Sequence, residues 1–315
     1  MKENKPKVSV IVLAYNHAPF IEENLQSIIN QNTNFQYEII LGEDESNDGT
    51  REICIDYANK YPDLIKLFLR SRDDVIKLHG VPSGRFNFIE SLKVCSGDYV
   101  AICEGDDYWI DNLKLQKQVD FLDANENYSF SWTRFKSLKN STGEFVIDFN
   151  EKYFKEGEKY INFDYERFQK GWHIGMQTLL FRNDRDILKN SYDFKYFKDV
   201  HIIALSLKKG KGICLNFVSA IYRLHDGGVH TSISEYNGFK IGYLTHKEIY
   251  FDNKTNQYLR RKYLHSYNNF LNANIRAGYL PKALWMSIDL LFKNGKIIDF
   301  LKHIKRIVVK LFGKK

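Results

Sequence analysis

No stretch of this chain is apolar enough, or long enough, to span a bilayer. Met1–Lys7 is polar and lacks the apolar segment of a secretory signal, so the expectation is a cytoplasmic protein. Cysteine is scarce. Cys54, Cys95, Cys103 and Cys214 are scattered without a C-x-x-C pair, which argues against a zinc site or a disulfide frame and leaves them as reduced, mostly buried small hydrophobes. No G-x-G-x-x-G fingerprint follows the first apolar run, which weakens a dehydrogenase reading. Ala14-Tyr15-Asn16-His17 stands there instead, and it is no glycine-rich phosphate loop, which weakens a nucleotidyltransferase reading. Gly227-Gly228 reads as a turn. There is no internal repeat and no low-complexity linker. Most of the chain also lacks net charge. The formal balance is +7, yet Phe292–Lys315 alone holds eight basic residues and one acid, Asp299. The basicity belongs to the tail, so a general nucleic-acid surface is a poor explanation of it.

What is present suits a globular protein: 315 residues, 43% apolar and 27% charged, enough for one large domain or a domain with an appendage. Val8–Leu13 is a continuous β-rich apolar run, of the kind found in parallel strands buried on both faces. Phe20–Asn30 has helical spacing; Tyr37–Leu41 reads as a strand, Asp48–Tyr61 as a helix capped by Asp48, Leu64–Leu69 as a strand, Ser83–Cys95 as a helix and Tyr99–Cys103 as a fourth strand. This β-α-β-α-β-α-β order predicts a mostly parallel sheet covered by helices. Beyond it the pattern predicts a helix over Asn112–Asn125, strands over Tyr128–Phe135 and Gly175–Phe181, loops or a lid over Lys136–Lys170, a helix over Asp199–Lys209 and a strand over Ile213–Leu224. Four helices follow: Phe239–Asp252, Gln257–Ala277, Lys282–Phe292 and Ile297–Leu311.

Ligands of open α/β sheets bind beyond the carboxyl ends of the strands. Four polar segments fall at those ends: Tyr15-Asn16-His17, Glu43 to Asp48, Arg70 to Asp74, and Glu104-Gly105-Asp106-Asp107-Tyr108-Trp109. The last packs three carboxylates into four residues at the end of a buried run. Such charges repel and are costly near a core unless paired or bound to a cation. One reading is a metal–diphosphate site, since Mg²⁺ is often held by carboxylates together with substrate phosphates. The other is an acidic turn capping the next helix. The convergence of four polar segments on one edge favours the metal site.

The ordered series of motifs resembles glycosyltransferase family 2. It comprises Val8-Ser9-Val10-Ile11-Val12-Leu13-Ala14-Tyr15-Asn16, Leu25-Gln26-Ser27-Ile28 with Gln31, Glu43-Asp44-Glu45-Ser46-Asn47-Asp48-Gly49-Thr50, and the acidic motif. Gly175-Met176-Gln177-Thr178, Lys198-Asp199 and Tyr222-Arg223-Leu224-His225 follow in the family's order. The resemblance runs from about Lys7 to Ser232. It implies a GT-A fold, a Rossmann-like mostly parallel sheet flanked by helices, here with a C-terminal helical extension. It implies a nucleotide-diphosphate sugar donor such as a UDP-sugar, Mn²⁺ or Mg²⁺, and inversion at the anomeric carbon. By the same resemblance Ala14, Tyr15 and Asn16 pack on the nucleotide, Asp44 accepts from the base with Glu43 beside it, and Asp106 meets the donor. Asp106, Asp107 and His225 hold the metal, Asp199 is the general base, and Trp172, Met176 and Gln177 lie on the acceptor segment. Family members usually carry paired aspartates where Glu43-Asp44 stands, and an acid where Lys198 stands.

The implied domains are a catalytic domain over residues 1–232 and a helical region over 233–315. The first divides into a nucleotide-sugar half to about residue 110 and an acceptor half beyond it. In the last helix Ile297, Leu301, Ile304, Val308 and Leu311 share a face, with Lys302, Lys305, Arg306 and Lys310 mostly elsewhere. A basic amphipathic helix of this kind can lie on an anionic membrane; alternatively it docks its apolar face on its own domain. The expectation is therefore a glycosyltransferase peripheral to the inner face of the cell membrane. It would build a surface polysaccharide such as capsule on a glycan or lipid-linked saccharide, without a nucleic-acid partner. The competing reading is a non-catalytic nucleotide-sugar or glycan-binding module on the same fold.

Overall fold

In the computed structural model, residues 5–78, 81–146, 148, 150–225 and 234–312 are described. The β-rich runs form strands β1 (Val8–Ala14), β2 (Tyr37–Glu43), β3 (Ile65–Leu69), β4 (Lys77–Leu78), β5 (Val81–Pro82), β6 (Tyr99–Ile102), β7 (Tyr108–Trp109), β8 (Tyr128–Lys139), β9 (Glu144–Val146), β10 (Tyr160–Phe163), β11 (Leu180–Arg182) and β12 (Lys211–Leu224). Helices are α1 (Ile21–Ile29), α2 (Thr50–Lys60), α3 (Arg85–Val94), α4 (Lys114–Ala124), α5 (Tyr165–Lys170), α6 (Arg185–Asp193), α7 (Asp199–Lys209), α8 (Glu235–Asp252), α9 (Gln257–Ala277), α10 (Leu280–Asn294) and α11 (Ile297–Phe312). The chain groups into two compact units, Met1–Arg167 with Gly171–His225, and Phe168–Lys170 with Asp226–Lys315. The Gly227-Gly228 turn and the boundary expected after residue 232 lie outside the described residues, as do Lys314 and Lys315.

In the first unit the main sheet runs β10-β12-β8-β11-β6-β1-β2-β3. The contiguous strands β6, β1, β2 and β3 are parallel, as the βαβ order requires. β1 is buried at nearly every position, which explains its unbroken apolar run. β11 then lies antiparallel to both β6 and β8, and β12 is parallel to β8. Two reversals restore the direction, so the carboxyl ends of β6, β1, β2, β3, β8 and β12 share one edge. Chain order reverses between β1 and β6, and that switch is where a cleft opens in such sheets. The core beneath is built from Val10, Val12, Leu25, Ile28, Leu41, Tyr99 and Leu180, with Leu115, Val119 and Leu122 of α4.

Besides the short strands β4, β5 and β7, the structure departs from the pattern in three places. Gly175–Phe181, expected as one strand, is a 3₁₀ turn over Met176–Thr178 followed by the short β11. The segment expected as loops, Lys136–Lys170, contributes the end of β8, then β9, β10 and α5. Its strands are short and aromatic-rich, and pairing with β8 and β12 rather than local alternation stabilises them. Helix α6 carries no expected counterpart; Asp184 caps it by accepting from Asp186 N–H.

In the second unit, α8 to α11 pack around Tyr263, Tyr267, Phe270, Leu271, Met286, Leu290 and Ile307. Asn256 caps α9 through its side chain, and Gly278 ends it at φ 83°, a left-handed conformation that suits glycine.

Candidate active site

The loops after β2 and β6 are locked in register to the end of β1, and the loop after β3 to the end of β2. The parallel ladders continue past the strands: Asp44 N–H donates to the Ala14 carbonyl (3.0 Å), Arg70 N–H to Glu43 (2.8 Å), and Gly105 N–H to Leu13 (2.9 Å). Side chains stitch the loop after β1 to the loop after β2. Asn16 N–H donates to Ser46 Oγ (2.9 Å), His17 N–H to Thr50 Oγ1 (2.8 Å), and Ala18 N–H to Asp48 Oδ2 (3.1 Å). Asn16 itself sits at φ 53°, with its side-chain oxygen accepting from Asn47 N–H. Asp48 does act at the start of α2, accepting from Thr50 N–H and Oγ1, although Gly49 is the residue at the cap position.

The first cluster is Tyr15, Asp44 and Arg72. The exposed Tyr15 ring lies 3.9 Å from the Arg72 guanidinium, which donates to Asp44 Oδ2 at 2.8 Å. Asp44 is 3% exposed, and its Oδ1 is buried with no hydrogen-bond partner among the described residues. Burial raises its pKa, with Arg72 working against the rise. An unpaired buried carboxylate oxygen is costly and calls for a donor. Glu43 plays a different part. It is fully buried and accepts from Ser46 N–H (2.7 Å), Glu45 N–H (3.3 Å) and Arg51, so it shapes the loop that carries Asp44. Ala14 is buried beneath.

The second cluster is the acidic turn. Ligand atoms of Glu104, Asp106 and Asp107 lie within 4.8 Å of one another. Asp106 Oδ2 lies 3.1 Å from His225 Nε2 and 3.9 Å from His17 Nε2. Burial pushes the Asp106 pKa up, but the His225 hydrogen bond and the His17 charge outweigh it and hold the carboxyl below its ordinary range. Asp107 is fully buried. Its Oδ1 accepts from Arg223 N–H (2.9 Å), its Oδ2 has no partner among the described residues, and burial followed by its acidic neighbours raises its pKa well above normal. Asp106 is thus the accessible carboxylate and Asp107 the buried one.

The turn is held from behind. Buried Asn24 of α1 donates to the Glu104 and Asp107 carbonyls, both at 2.8 Å. Arg223 donates to the Asp106 carbonyl (2.8 Å), pairs with Glu23 and stacks 4.4 Å from the Tyr108 ring. A Cβ on Gly105 would lie 2.8 Å from His17 Nδ1 and 2.9 Å from the Leu13 carbonyl, so glycine permits the close approach. Trp109 packs behind the turn: it pairs with Ala220 in β7–β12, and its indole N–H donates to the Gln177 carbonyl at 2.7 Å.

Asp199 is the first residue of α7, exposed, with Lys198 rather than Asp199 at the cap position. It lies close enough to the acidic turn for its charge to act on Glu104, whose pKa is pushed up to about 8 by burial, then by Asp106 and Asp199. The two residues are some ninety positions apart in the chain. On the acceptor segment, Gln177 is buried behind Trp109 and Met176 is half-buried. Trp172 sits in an aromatic cluster, stacked on Tyr153 at 4.2 Å and edge-on to Trp132 and Phe163.

Three residues at this edge went unassigned in the sequence, His17, Asn24 and Arg223, whereas Arg72 after β3 was open to nucleotide contact or a solvated surface. His17 and Arg72 stand in polar segments noticed after β1 and β3, and Arg223 stands in the Tyr222-Arg223-Leu224-His225 motif. Asn24 is an interior helical residue with no signal of its own.

Comparison with known proteins bears on the family and the fold. Uncharacterized proteins of Mycobacterium tuberculosis and Mycobacterium bovis are 40% identical over 118 residues, 38% of this chain, and the match spans about a third (32%) of their length. The beta-1,3-glucosyltransferase WfaP of Escherichia coli, described as acting from UDP-Glc on alpha-D-GlcNAc-diphosphoundecaprenol, is 30% identical over 70% of this chain and 79% of its own. Among solved structures, S. aureus TarS 1-349 in complex with UDP-GlcNAc superposes with a TM-score of 0.57 at 17% identity, covering 98% of this chain and 92% of that one. A mannosyltransferase of Pyrobaculum calidifontis in complex with GDP-Man and Mn²⁺ gives 0.56 at 19%, covering 99% and 89%. These structural likenesses establish a shared GT-A fold. The family described as "Glycosyl transferase family 2" matches residues 9–183, more than half of the chain, and the protein belongs to that family of glycosyltransferases.

Proposed function

We propose that the enzyme is an inverting, metal-dependent transferase. It moves a hexosyl or N-acetylhexosaminyl group from a UDP-sugar to a hydroxyl of a lipid-linked saccharide, in synthesis of a surface polysaccharide such as capsule. The observation that carries this reading is the convergence at one sheet edge. The unsatisfied Asp44 oxygen beside Tyr15 and Arg72 follows β2, the Asp106–His225 pair joins the ends of β6 and β12, and the Asp199 charge acts on Glu104. Catalysis is assigned to that unit, with the nucleotide-sugar half within about residues 1–110.

The parts fit the chemistry. Tyr15 offers an aromatic face to a base, and the Asp44 Oδ1 that lacks a donor suits a base N–H. Arg72 holds Asp44 in place and adds positive charge near the nucleotide. The donor set at the acidic turn is oxygen-rich, with an imidazole beside it, and the unpartnered Asp107 oxygen is an orphan that a cation would satisfy. This suits Mg²⁺ or Mn²⁺. Asp106 and His225 would hold the ion, and Asp107 would contribute its unpartnered oxygen. When bound, the cation neutralises charge on the leaving diphosphate.

Asp199 then serves as the base. The acceptor oxygen bonds to the anomeric carbon as the bond from that carbon to the diphosphate oxygen breaks. The hydroxyl proton passes to the Asp199 carboxylate. Attack opposite the leaving group inverts the centre, by the logic of inverting hydrolases. Gln177, Met176 and Trp172 border the acceptor side. Trp172 acts through packing with Tyr153 as much as by contact. WfaP's lipid-linked acceptor supports a related acceptor here, used at the inner face of the membrane; no described helix is long and apolar enough to cross it.

The test is donor turnover. Wild type should release UDP from one of a panel of UDP-sugars in the presence of Mn²⁺ or Mg²⁺. Asp199→Asn should lower the rate by about a hundredfold or more while donor affinity is kept. Donor binding without turnover in wild type, across all acceptors tried, would make the chain a binding module.

A further inference from the structure

Helix α11 docks on its own unit by a narrow stripe. His303 and Ile307 are buried there, flanked by half-buried Phe300 and Ile304. The apolar face of the helix mostly does not dock. Ile297, Leu301, Val308 and Leu311 are 62, 58, 45 and 54% exposed, and Ile298, Val309 and Phe312 widen the ridge. Helix α10 repeats the pattern. Ala283, Met286, Ser287 and Leu290 are buried, whereas Leu284, Trp285, Ile288 and Phe292 lie on the other side, with Trp285 65% and Phe292 85% exposed. The two helices are joined by the tight turn at Gly295 (φ 69°). Single exposed apolar residues are ordinary, but two consecutive helices that each turn an apolar ridge to water mark a contact surface.

The charges indicate what covers it. Lys296, Lys302, Lys305 and Lys310 are exposed along α11 and its turn. Asp299 is the one acid of α11. Asp289 of α10 is occupied by Lys293 and the Tyr267 hydroxyl, and Arg306 by Asn272 Oδ1 at 2.7 Å. A second copy would set the same lysine rows against each other, because a two-fold contact pairs a patch with itself. An anionic bilayer has no such conflict. Its acyl boundary takes the apolar ridge while its phosphates meet the ammonium groups, which the long lysine stems can reach. We infer that the α10–α11 surface is a membrane-docking face, lying flat in the headgroup layer of an anionic bilayer. The inference rests on the reading that the chain works at a membrane and on none of the catalytic assignments.

Sedimentation of the full chain with vesicles tests it. Wild type should pellet with mixed phosphatidylglycerol–phosphatidylcholine vesicles. Partitioning should fall about tenfold or more on phosphatidylcholine alone or at high salt. Leu301→Glu with Phe312→Glu, at two exposed positions, should abolish pelleting, and Lys302→Glu with Lys305→Glu should reduce it about tenfold or more. Both variants should melt as wild type does and release UDP from donor at the wild-type rate without vesicles. Asp199→Asn should pellet normally, so loss of catalysis and loss of docking are separable. Wild type that ignores anionic vesicles, or double variants that bind them unchanged, overturns the inference. So does a wild-type dimer dispersed by Leu301→Glu in the absence of vesicle binding, which would assign the ridge to a second copy.

Discussion

Asp44 and Asp106 are both carboxylates withdrawn from water, and their neighbours send them in opposite directions. Burial wins at Asp44, whose pKa is raised although Arg72 opposes the shift. At Asp106 the hydrogen bond from His225 and the charge of His17 win, and the carboxyl stays ionised more readily than usual. That difference suits the proposed division of labour: one acid waits for a hydrogen-bond donor, the other keeps its charge for a cation. Asp44→Asn keeps the shape and removes the charge. It should weaken UDP binding about ten- to a hundredfold, read by titration calorimetry, because hydrogen bonds to charged groups contribute about 1.5–3 kcal/mol. Wild-type affinity in that variant would remove Asp44 from the nucleotide site. The acids themselves were legible from the motif series. Arg223 and Asn24 were not, because each acts on a loop distant in sequence. Arg223 reaches Asp106 across more than a hundred positions only because β12 ends beside the acidic turn.

Elements that follow a local rule were read with little error. Helices α7 and α9 span Asp199–Lys209 and Gln257–Ala277, the bounds that periodicity and capping residues predict. The segment from β8 to β11 was not, since its short strands exist only against partners. Helix α4 shows the same limit inside an otherwise well-read element. Its apolar periodicity places Leu115, Val119 and Leu122 in the core, but Lys114 is fully buried as well. Its ammonium donates to Gln118 Oε1 at 2.7 Å and lies 4.3 Å from the Trp109 ring. Burial pulls its pKa down to about 7. The unfolded chain, with an ordinary lysine, then binds more protons than the folded one between about pH 7 and 10. Stability from this residue therefore rises with pH through that window, by at most about 1.4 kcal/mol per unit. Below pH 7 the lysine is charged in both states and the penalty is fully present. Lys114→Met should flatten this slope. Denaturant melts of both proteins at pH 6, 7, 8 and 9 should show wild type gaining on the variant as pH rises; parallel curves would mean that Lys114 keeps its proton throughout.

Across the whole molecule, ligand binding and stability are linked, because the proposed site, drawn from β1, β2, β6, β12 and α7, exists only when the sheet is formed. UDP together with Mn²⁺ should raise the melting temperature, and at a hundredfold excess over the dissociation constant the gain is about 2.7 kcal/mol. A chelator should reverse the metal-dependent part, and Asp106→Asn should lose it while keeping a smaller shift from UDP alone. A full Mn²⁺ effect in Asp106→Asn would move the cation elsewhere. The second unit bears on a different property, since the ridges of α10 and α11 form the proposed docking face.

The sequence by itself determined the βαβ order, the family, the chain of acidic motifs and the amphipathic character of the last helix, because each is written in local spacing or in residue order. Only the tertiary structure decided which aspartate of the acidic turn is reachable, which arginines hold the loops, and which stripe of α11 is spent on packing. Those outcomes depend on burial and on partners brought together across the sheet, and neither is encoded in the spacing of neighbouring residues.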